Sequence, residues 1–411
     1  MKSDSLSEQL YARALRTIPW GTQTNAKRPQ PAMAGAMPLF IERAKGSRMW
    51  DVEGREFVDF RAALGPIILG YCDPRVDEAA KRQIDKGVQF SMASPIEMEV
   101  AEAIRGIMPW AEKVRFLKTG ADAASAALRI ARAYTGRNKF ISCGYHGWHD
   151  SFAASDPGHN RGVPLGLRDY VYPIAYGDYQ AAQKALSEDG ADIAAILTLP
   201  YDLGPDTSGT FLRKLREMAT ANGSLLIFDE IITGFRLANG GGGEYFGVAP
   251  DLVVLGKAMA NGYPLTAFAG KSEYMSVLDE SGVFISTTYA GEAVSLAACQ
   301  ATLAILASEP VMKHIWEMGH RLMTGLVEAG KLAGVPLRSY GLAPCSNLTF
   351  DIDNAQEAAV LRDGFYRGLF LKGVFPNSPW FITYAHTASD IDETIEKATT
   401  ALREARDTPI S

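Results

Sequence analysis

Cysteine is scarce: Cys72, Cys143, Cys299 and Cys345 are the only four in 411 residues, and no two stand at C-x-x-C spacing. That argues against a disulfide framework and a zinc site, and it suits a reducing compartment. A basic excess is missing too. Lys and Arg number 41 against 47 for Asp and Glu, a formal net charge of −6. A mildly acidic chain without a basic block gives no footing to nucleic acid or to an anionic membrane, and leaves small anions as the charged partners. No apolar run reaches the length of a bilayer span. The opening stretch, MKSDSLSEQLYARALRTIPW, alternates charged and apolar residues instead of forming a secretory core. A cytoplasmic protein is expected. Internal repeats and low-complexity tracts are also absent.

What is present is an ordinary globular composition, 47% hydrophobic and 21% charged. The length exceeds what one core accommodates, so two or more packed units are expected. Residues 4–18 have helical spacing, with Leu6, Leu10, Ala14 and Ile18 on one face. A looser stretch rich in Pro, Gly and Met follows, and then LFIERAKGSRMWDVEGREFVDF predicts strands with a turn at Glu53-Gly54. Beyond Asp73, helical segments alternate with six apolar strands: KVRFLK, KFISCG, AAILTL, SLLIFDE, DLVVLGK and LTAFAG. This alternation predicts an α/β fold with a mainly parallel sheet covered on both faces. After a long helix beginning near Ala293 the pattern becomes α+β, with strands in residues 346–351 and 380–384. The expected division is an N-terminal segment, 1–68, that joins a small domain, a large domain, 69–305, and a C-terminal small domain, 306–411.

Ligands of open α/β sheets bind beyond the carboxyl ends of the strands. The residues there are Thr119-Gly120-Ala121, Gly144-Tyr145-His146, Asp229-Glu230 and Gly256-Lys257, and these four loops should converge. Gly120 opens a helix whose free N–H groups suit a phosphate, although alone this motif reads as an ordinary strand–helix turn. Asp229 follows a buried strand, where a carboxylate is costly without a cation opposite it. A protonated pyridine nitrogen would serve, as would a structural ion pair, a helix cap or the acidic strand of an ATPase. Lys257 follows another apolar run. Partial burial there would lower its pKa and fix its position, as imine chemistry requires. Most lysines are solvated, so Lys257 gains its weight from the 28 residues that separate it from Asp229, enough for a helix and a return to the adjacent strand. Tyr145 could stack on a flat ring or simply pack. His146 and His149 lack a further ligand at metal spacing, so hydrogen-bonding roles are expected and no metal. The tetraglycine at 240–243 fits no phosphate-loop register and is expected to be a mobile loop.

Together these segments resemble the class III, fold-type-I aminotransferases dependent on pyridoxal 5′-phosphate (PLP), with the glutamate-1-semialdehyde 2,1-aminomutases the nearest branch. The resemblance covers nearly the whole chain. It runs through VRFLKTGADAASAALRIARAYTGR, GYHGWHD, LLIFDEIITGFR, GGGGEYFGVAPDLVVLGKAMANGYPLTAFAGK and YAHTASDID. It implies a large PLP-binding domain, a small domain made from both chain ends, and a homodimer with shared active sites. It also implies roles. Lys257 would form the internal aldimine and shuttle the proton, and Asp229 would pair with the ring nitrogen. Tyr145 and Ile231 would flank the ring. Thr119, Gly120 and Ala121 would hold the phosphate, with Thr288 reaching it from the neighbouring subunit.

The departures from that pattern bear on the substrate. The phosphate turn is Thr119-Gly120-Ala121 where the family has Ser-Gly-Thr, and Leu199-Pro200 stands for Glu-Pro, followed by a shortened loop at 201–206. A family asparagine near the cofactor has no counterpart, and the loop after Tyr145 and His146 is shortened. Lys27 stands where the aminomutases place a carboxylate-binding arginine, Ser378 where they place a glutamate, and Trp380 where they place a small residue. A lysine is a point charge and cannot reproduce a bidentate guanidinium clamp. The expected activity is therefore transfer of an amino group from a small-molecule donor to a specialised carbonyl acceptor. The aminomutase reaction and a fold-related PLP epimerase are the alternatives. A P-loop nucleotide hydrolase built on AGKS (269–272) fails because Leu265 occupies the first glycine position. A cofactor-free interaction protein of this fold is disfavoured by the joint presence of Lys257 and Asp229.

Overall fold

The computed structural model describes residues 5–280 and 282–408. The chain divides into two compact units. One holds the chain up to Leu64, Ile68–Asp73 and everything from Lys313 onward; the other holds Gly65–Ile67 and Pro74–Met312.

In the first unit, strands β1 (Ile41–Lys45), β2 (Arg48–Asp51) and β3 (Glu56–Asp59) form an antiparallel meander. The expected turn lies between β2 and β3. Asp51, fully buried, accepts from the Glu53 and Arg55 backbone N–H groups and from Arg55 Nε at 2.6 Å, which closes the reversal. The N-terminal helix is shorter than the periodicity predicts, Leu6–Ala14, and Ile18 lies beyond it before Pro19; Asp4 is outside the described residues. The side chain it buries is Ser7, not the apolar stripe, because Glu53 takes both its N–H and its hydroxyl at 2.7 Å.

The second unit is built on a seven-stranded sheet. Its strands are β4 (Lys113–Leu117), β5 (Lys139–Cys143), β6 (Val171–Ile174), β7 (Ile193–Thr198), β8 (Leu225–Glu230), β9 (Leu252–Leu255) and β10 (Thr266–Gly270), in the order β4-β10-β9-β8-β7-β5-β6. All six apolar segments read from the sequence are strands of this sheet. β10 runs antiparallel to both its neighbours, and the other pairings are parallel. β6 was not foreseen. Its sequence, VYPI, carries a proline, which an edge strand tolerates because one side of the backbone needs no partner. β7, β8 and β9 are buried at every residue, as strands covered on both faces must be. The alanine-rich helix Gly120–Thr135 packs on this sheet, and its small side chains share one core cluster with Phe140, Leu197, Ile227, Val254 and Phe268.

The rest of the first unit adds β11 (Leu337–Tyr340), β12 (Cys345–Phe350), β13 (Val374–Phe375) and β14 (Trp380–Phe381). β13 extends the N-terminal meander by parallel pairing with β3, so both chain ends build one sheet; β11, β12 and β14 form another. Among the described residues no single helix is long and apolar enough to cross a membrane.

Candidate active site

The carboxyl end of β8 carries two acids, and strand alternation sends them to opposite faces. Asp229 is 4% exposed. Its Oδ2 lies 2.8 Å from His146 Nδ1, and its Oδ1 accepts the Ile231 N–H at 3.1 Å. A carboxylate can only accept, so Nδ1 is the nitrogen that carries the proton. His146 is itself buried, edge-on to Phe152, and its Nε2 has no partner among the described residues. The sequence marked His146 for hydrogen bonding without naming Asp229 as its partner.

Glu230 faces the other way. It accepts the Thr233 hydroxyl and the backbone N–H groups of Gly242 and Gly243 at 2.9 and 2.8 Å. Complete burial pushes its carboxyl up to about 7, and the adjacent Asp229 charge acts in the same direction. These bonds overturn the expectation of a mobile tetraglycine loop. The glycines enter a helix, Gly241–Phe246, whose N-terminal N–H groups end on the Glu230 carboxylate. Glycine is required there because the neighbours are so close. A Cβ at Gly241 would meet Glu230 Oε2 at 2.7 Å, at Gly242 Pro200 Cβ at 2.5 Å, and at Gly243 Trp110 Cζ2 at 2.8 Å.

Lys257 follows β9 through the extended Gly256 and opens a short 3-10 turn, Lys257–Ala260, with φ +44°. A non-glycine residue in the left-handed region is strained, and such strain concentrates at functional sites. Burial pushes the amine down to about 8; the Asp229 charge works against that shift and the fully buried Arg236 works with it. Arg236, which no sequence pattern singled out, donates to the Gly65 carbonyl at 2.6 Å.

The remaining loops arrive at the same place. The tip of Ile231 lies between two turns, since a Cβ at Gly120 would meet its Cδ1 at 3.2 Å and one at Gly256 at 2.7 Å. The loop after β5 touches the helix start, where a Cβ at Gly147 would stand 2.5 Å from Ala121 Cβ. The Thr119 hydroxyl caps that helix by accepting the Asp122 N–H at 3.2 Å, and the Thr119 carbonyl accepts from Thr266 Oγ1 at 3.1 Å. The N–H groups of Gly120 and Ala121, in the first turn, have no carbonyl within the helix to bond. His149 contacts Ser125 Oγ at 2.9 Å, and among the described residues no three His, Cys, Asp or Glu side chains form a metal cluster.

Tyr145 and Thr288 are placed differently. Tyr145 is 74% exposed, and Thr288 is exposed with its carbonyl accepting from Gln89 Nε2 at 2.9 Å. In the first unit, Lys27 is exposed in the 3-10 turn Asn25–Lys27. Ser378 Oγ is engaged with Asn347 Oδ1 at 2.6 Å. Trp380 is fully buried, with its ring 5.0 Å from that of Phe60. The AGKS segment is no phosphate loop: Gly270 ends β10, and the Ser272 N–H already donates to Glu112 Oε2 at 2.7 Å.

The convergent residues fit PLP. A buried carboxylate suits a ring N–H, an amine with a lowered pKa suits an aldehyde, and unbonded N–H groups at a helix start suit a phosphate. Comparison with known proteins agrees. The family model for class III aminotransferases matches residues 30–402. The chain is 35% identical to a 3-aminobutyryl-CoA aminotransferase of Cloacimonas acidaminovorans, with 97% of each chain covered. It is equally, 35%, identical to a glutamate-1-semialdehyde 2,1-aminomutase of Desulforamulus reducens, over 97% of this chain and 98% of that one. Among solved structures it is similar to the PLP internal aldimine form of the FumI protein of Sphingopyxis sp. MTA144. The TM-score is 0.89 at 29% identity, over 96% of this chain and 95% of that one.

Proposed function

The chain belongs to the class III aminotransferases, a PLP-dependent family of enzymes, and we propose that it moves an amino group from a small-molecule donor to a specialised carbonyl acceptor, with Lys257 holding the cofactor. Bound PLP supplies an aldehyde that exchanges with amines and a ring that accepts electron density from the carbon losing its proton. The chain's own residues do the rest. Lys257 Nζ would hold the cofactor's aldehyde and, once released, would move the proton lost by the substrate carbon. Asp229 would accept the ring N–H, and His146 would fix the carboxylate for that contact. Gly120 and Ala121 would donate backbone N–H groups to the phosphate beside Thr119. Ile231 and Tyr145 would pack against the ring. Thr288 completes the phosphate site of the neighbouring subunit in a homodimer. A reducing compartment suits four free cysteines, so the cytoplasm is the assigned location.

The observation that carries this reading is Lys257 itself: a half-buried, strained lysine with its amine pushed down to about 8 within reach of the Asp229 charge. Transfer is favoured over the aminomutase reaction because Lys27 offers a point charge in place of a guanidinium fork. An aminomutase must retain its intermediate through two half-reactions, and a weaker clamp favours release.

The test begins with an absorbance scan. A visible band abolished by borohydride is expected; its absence from PLP-loaded protein would reject Lys257 as the holding residue. A panel of donors including glutamate and 3-aminobutyrate, followed by the spectral change of the cofactor, then identifies the donor. Conversion of glutamate-1-semialdehyde to 5-aminolevulinate should be negligible, and efficient conversion would establish the aminomutase instead.

A further inference from the structure

Ahead of the helix Ala293–Ser308, residues 283–287 run without regular secondary structure, yet their side chains alternate as a strand's do. Val283, Ile285 and Thr287 are half-buried, whereas Phe284, Ser286 and Thr288 are exposed. Val283 and Ile285 pack against the core cluster that the helix Gly120–Thr135 shares with the sheet. The opposite face presents Thr288 outward.

A segment outside any sheet must still find partners for its backbone carbonyls. Side chains from other elements supply them here. Arg129, on the helix Gly120–Thr135, donates from Nη1 to the Phe284 carbonyl at 2.7 Å. Arg115, on β4, donates from Nη2 to the Ile285 carbonyl at 3.2 Å, and Gln89 Nε2 holds the Thr288 carbonyl at 2.9 Å. The far end is tied as well. Lys118 Nζ donates to Glu292 Oε2 at 3.0 Å, and Glu292 caps the next helix by accepting the Val294 N–H at 2.7 Å. These anchors have a common origin. Arg115 and Lys118 lie just before the turn Thr119-Gly120-Ala121, and Arg129 lies on the helix which that turn opens. One strand–turn–helix unit therefore carries a phosphate turn and also grips the segment that bears Thr288.

We propose that Arg129 and Arg115 are positioning residues for the cofactor phosphate, holding residues 284–285 so that the Thr288 hydroxyl is already ordered when the neighbouring subunit's phosphate meets it. The inference rests on the role proposed for Thr288 in the homodimer. Neither arginine touches the cofactor. Their contribution is preorganisation: a segment fixed beforehand does not have to be ordered at the moment of binding. Both arginines are exposed, so each bond is modest and its loss weighs less than loss of the Thr288 hydroxyl itself.

Equilibrium dialysis of the PLP-loaded dimer tests it, with occupancy read from the visible band and assembly from sedimentation. Arg129→Gln should retain PLP about three- to tenfold less tightly, and Arg115→Gln, whose bond is longer, about two- to threefold. Arg129→Lys keeps a donor for the carbonyl and should recover most of the loss. The deciding comparison is made in Thr288→Ala. Adding Arg129→Gln to that variant should weaken retention no further, since the arginine acts only through the missing hydroxyl. Losses that simply add would overturn the proposal, as would full retention by a folded, dimeric Arg115→Gln/Arg129→Gln protein. Loss of PLP that only tracks loss of the dimer would overturn it too. Full retention by Thr288→Ala alone is a different failure: it removes the role of Thr288, and this inference with it.

Discussion

At the residue scale, the chemistry rests on how two side chains are held. If Lys257 holds PLP and carries the proton as proposed, Lys257→Ala removes that amine, so turnover should fall on the order of 10⁴–10⁶-fold while the fold survives. Near-normal activity of this variant in a steady-state assay would refute the site. The depressed amine adds a pH signature. A group with a folded pKa of about 8 is half deprotonated there, so covalent capture of PLP by apoenzyme should level off above about 8. A plateau reached only near 10.5, the ordinary lysine value, would mean that burial does not tune the amine. If Asp229 pairs with the ring nitrogen as proposed, Asp229→Asn should leave PLP bound but slow proton transfer, by about 10²–10⁴-fold, because an amide cannot keep that nitrogen protonated. His146→Phe should act through Asp229. A smaller fall in the same step is expected, with the absorbance–pH profile of the bound cofactor displaced; a normal profile would make His146 a packing residue only.

At the element scale, the carboxyl end of β8 joins a sheet strand to a glycine helix through Glu230. Its carboxyl rises from 4.5 to about 7 on folding, so between those values the native state binds more protons than the unfolded one. Native stability contributed by this group is present below about 4.5 and is lost as pH rises toward 7, by up to about 3 kcal/mol. Denaturant titrations at several pH values should show Glu230→Gln with a flatter profile across this window than wild type. An identical slope would show that the group is not buried as described. Gly242→Ala should cost about 1–3 kcal/mol, since the new methyl must displace Pro200. This element also shows where sequence reading stops. Period and apolarity identified β4, β5, β7, β8, β9 and β10 because a covered strand leaves a continuous apolar signature. They could not show that β10 runs antiparallel, that VYPI pairs at the edge, or that the glycines at 241–243 open a helix. Those outcomes depend on partners distant in the chain. The Asp229–Lys257 spacing was legible for the same reason that the strands were. Arg236 and the Asp229 partner of His146 were not, because nothing local marks a hydrogen bond across the sheet.

At the scale of the whole molecule, the question is what covers the aromatic side chains left open on the second unit. Trp148 and Phe284 are 73% and 75% exposed, and Tyr289 and Thr288 lie close by in sequence to Phe284. Large rings facing water are expensive, and a second copy of the chain is the partner that the proposed homodimer supplies. If Thr288 of one subunit completes the phosphate site of the other, cofactor binding and assembly are linked by mass action. PLP should then raise the apparent dimer affinity, and dilution should release cofactor along with monomer. Thr288→Ala removes one hydroxyl donor to a charged phosphate, worth about 1.5–3 kcal/mol, so PLP should be retained roughly ten- to a hundredfold less tightly. Its circular dichroism should stay unchanged, because the exposed hydroxyl supports nothing within its own chain. Sedimentation at graded concentrations, read at the protein and cofactor wavelengths together, checks both halves. A monomer that keeps its full complement of PLP and turns over would break the link and return Thr288 to an ordinary surface position.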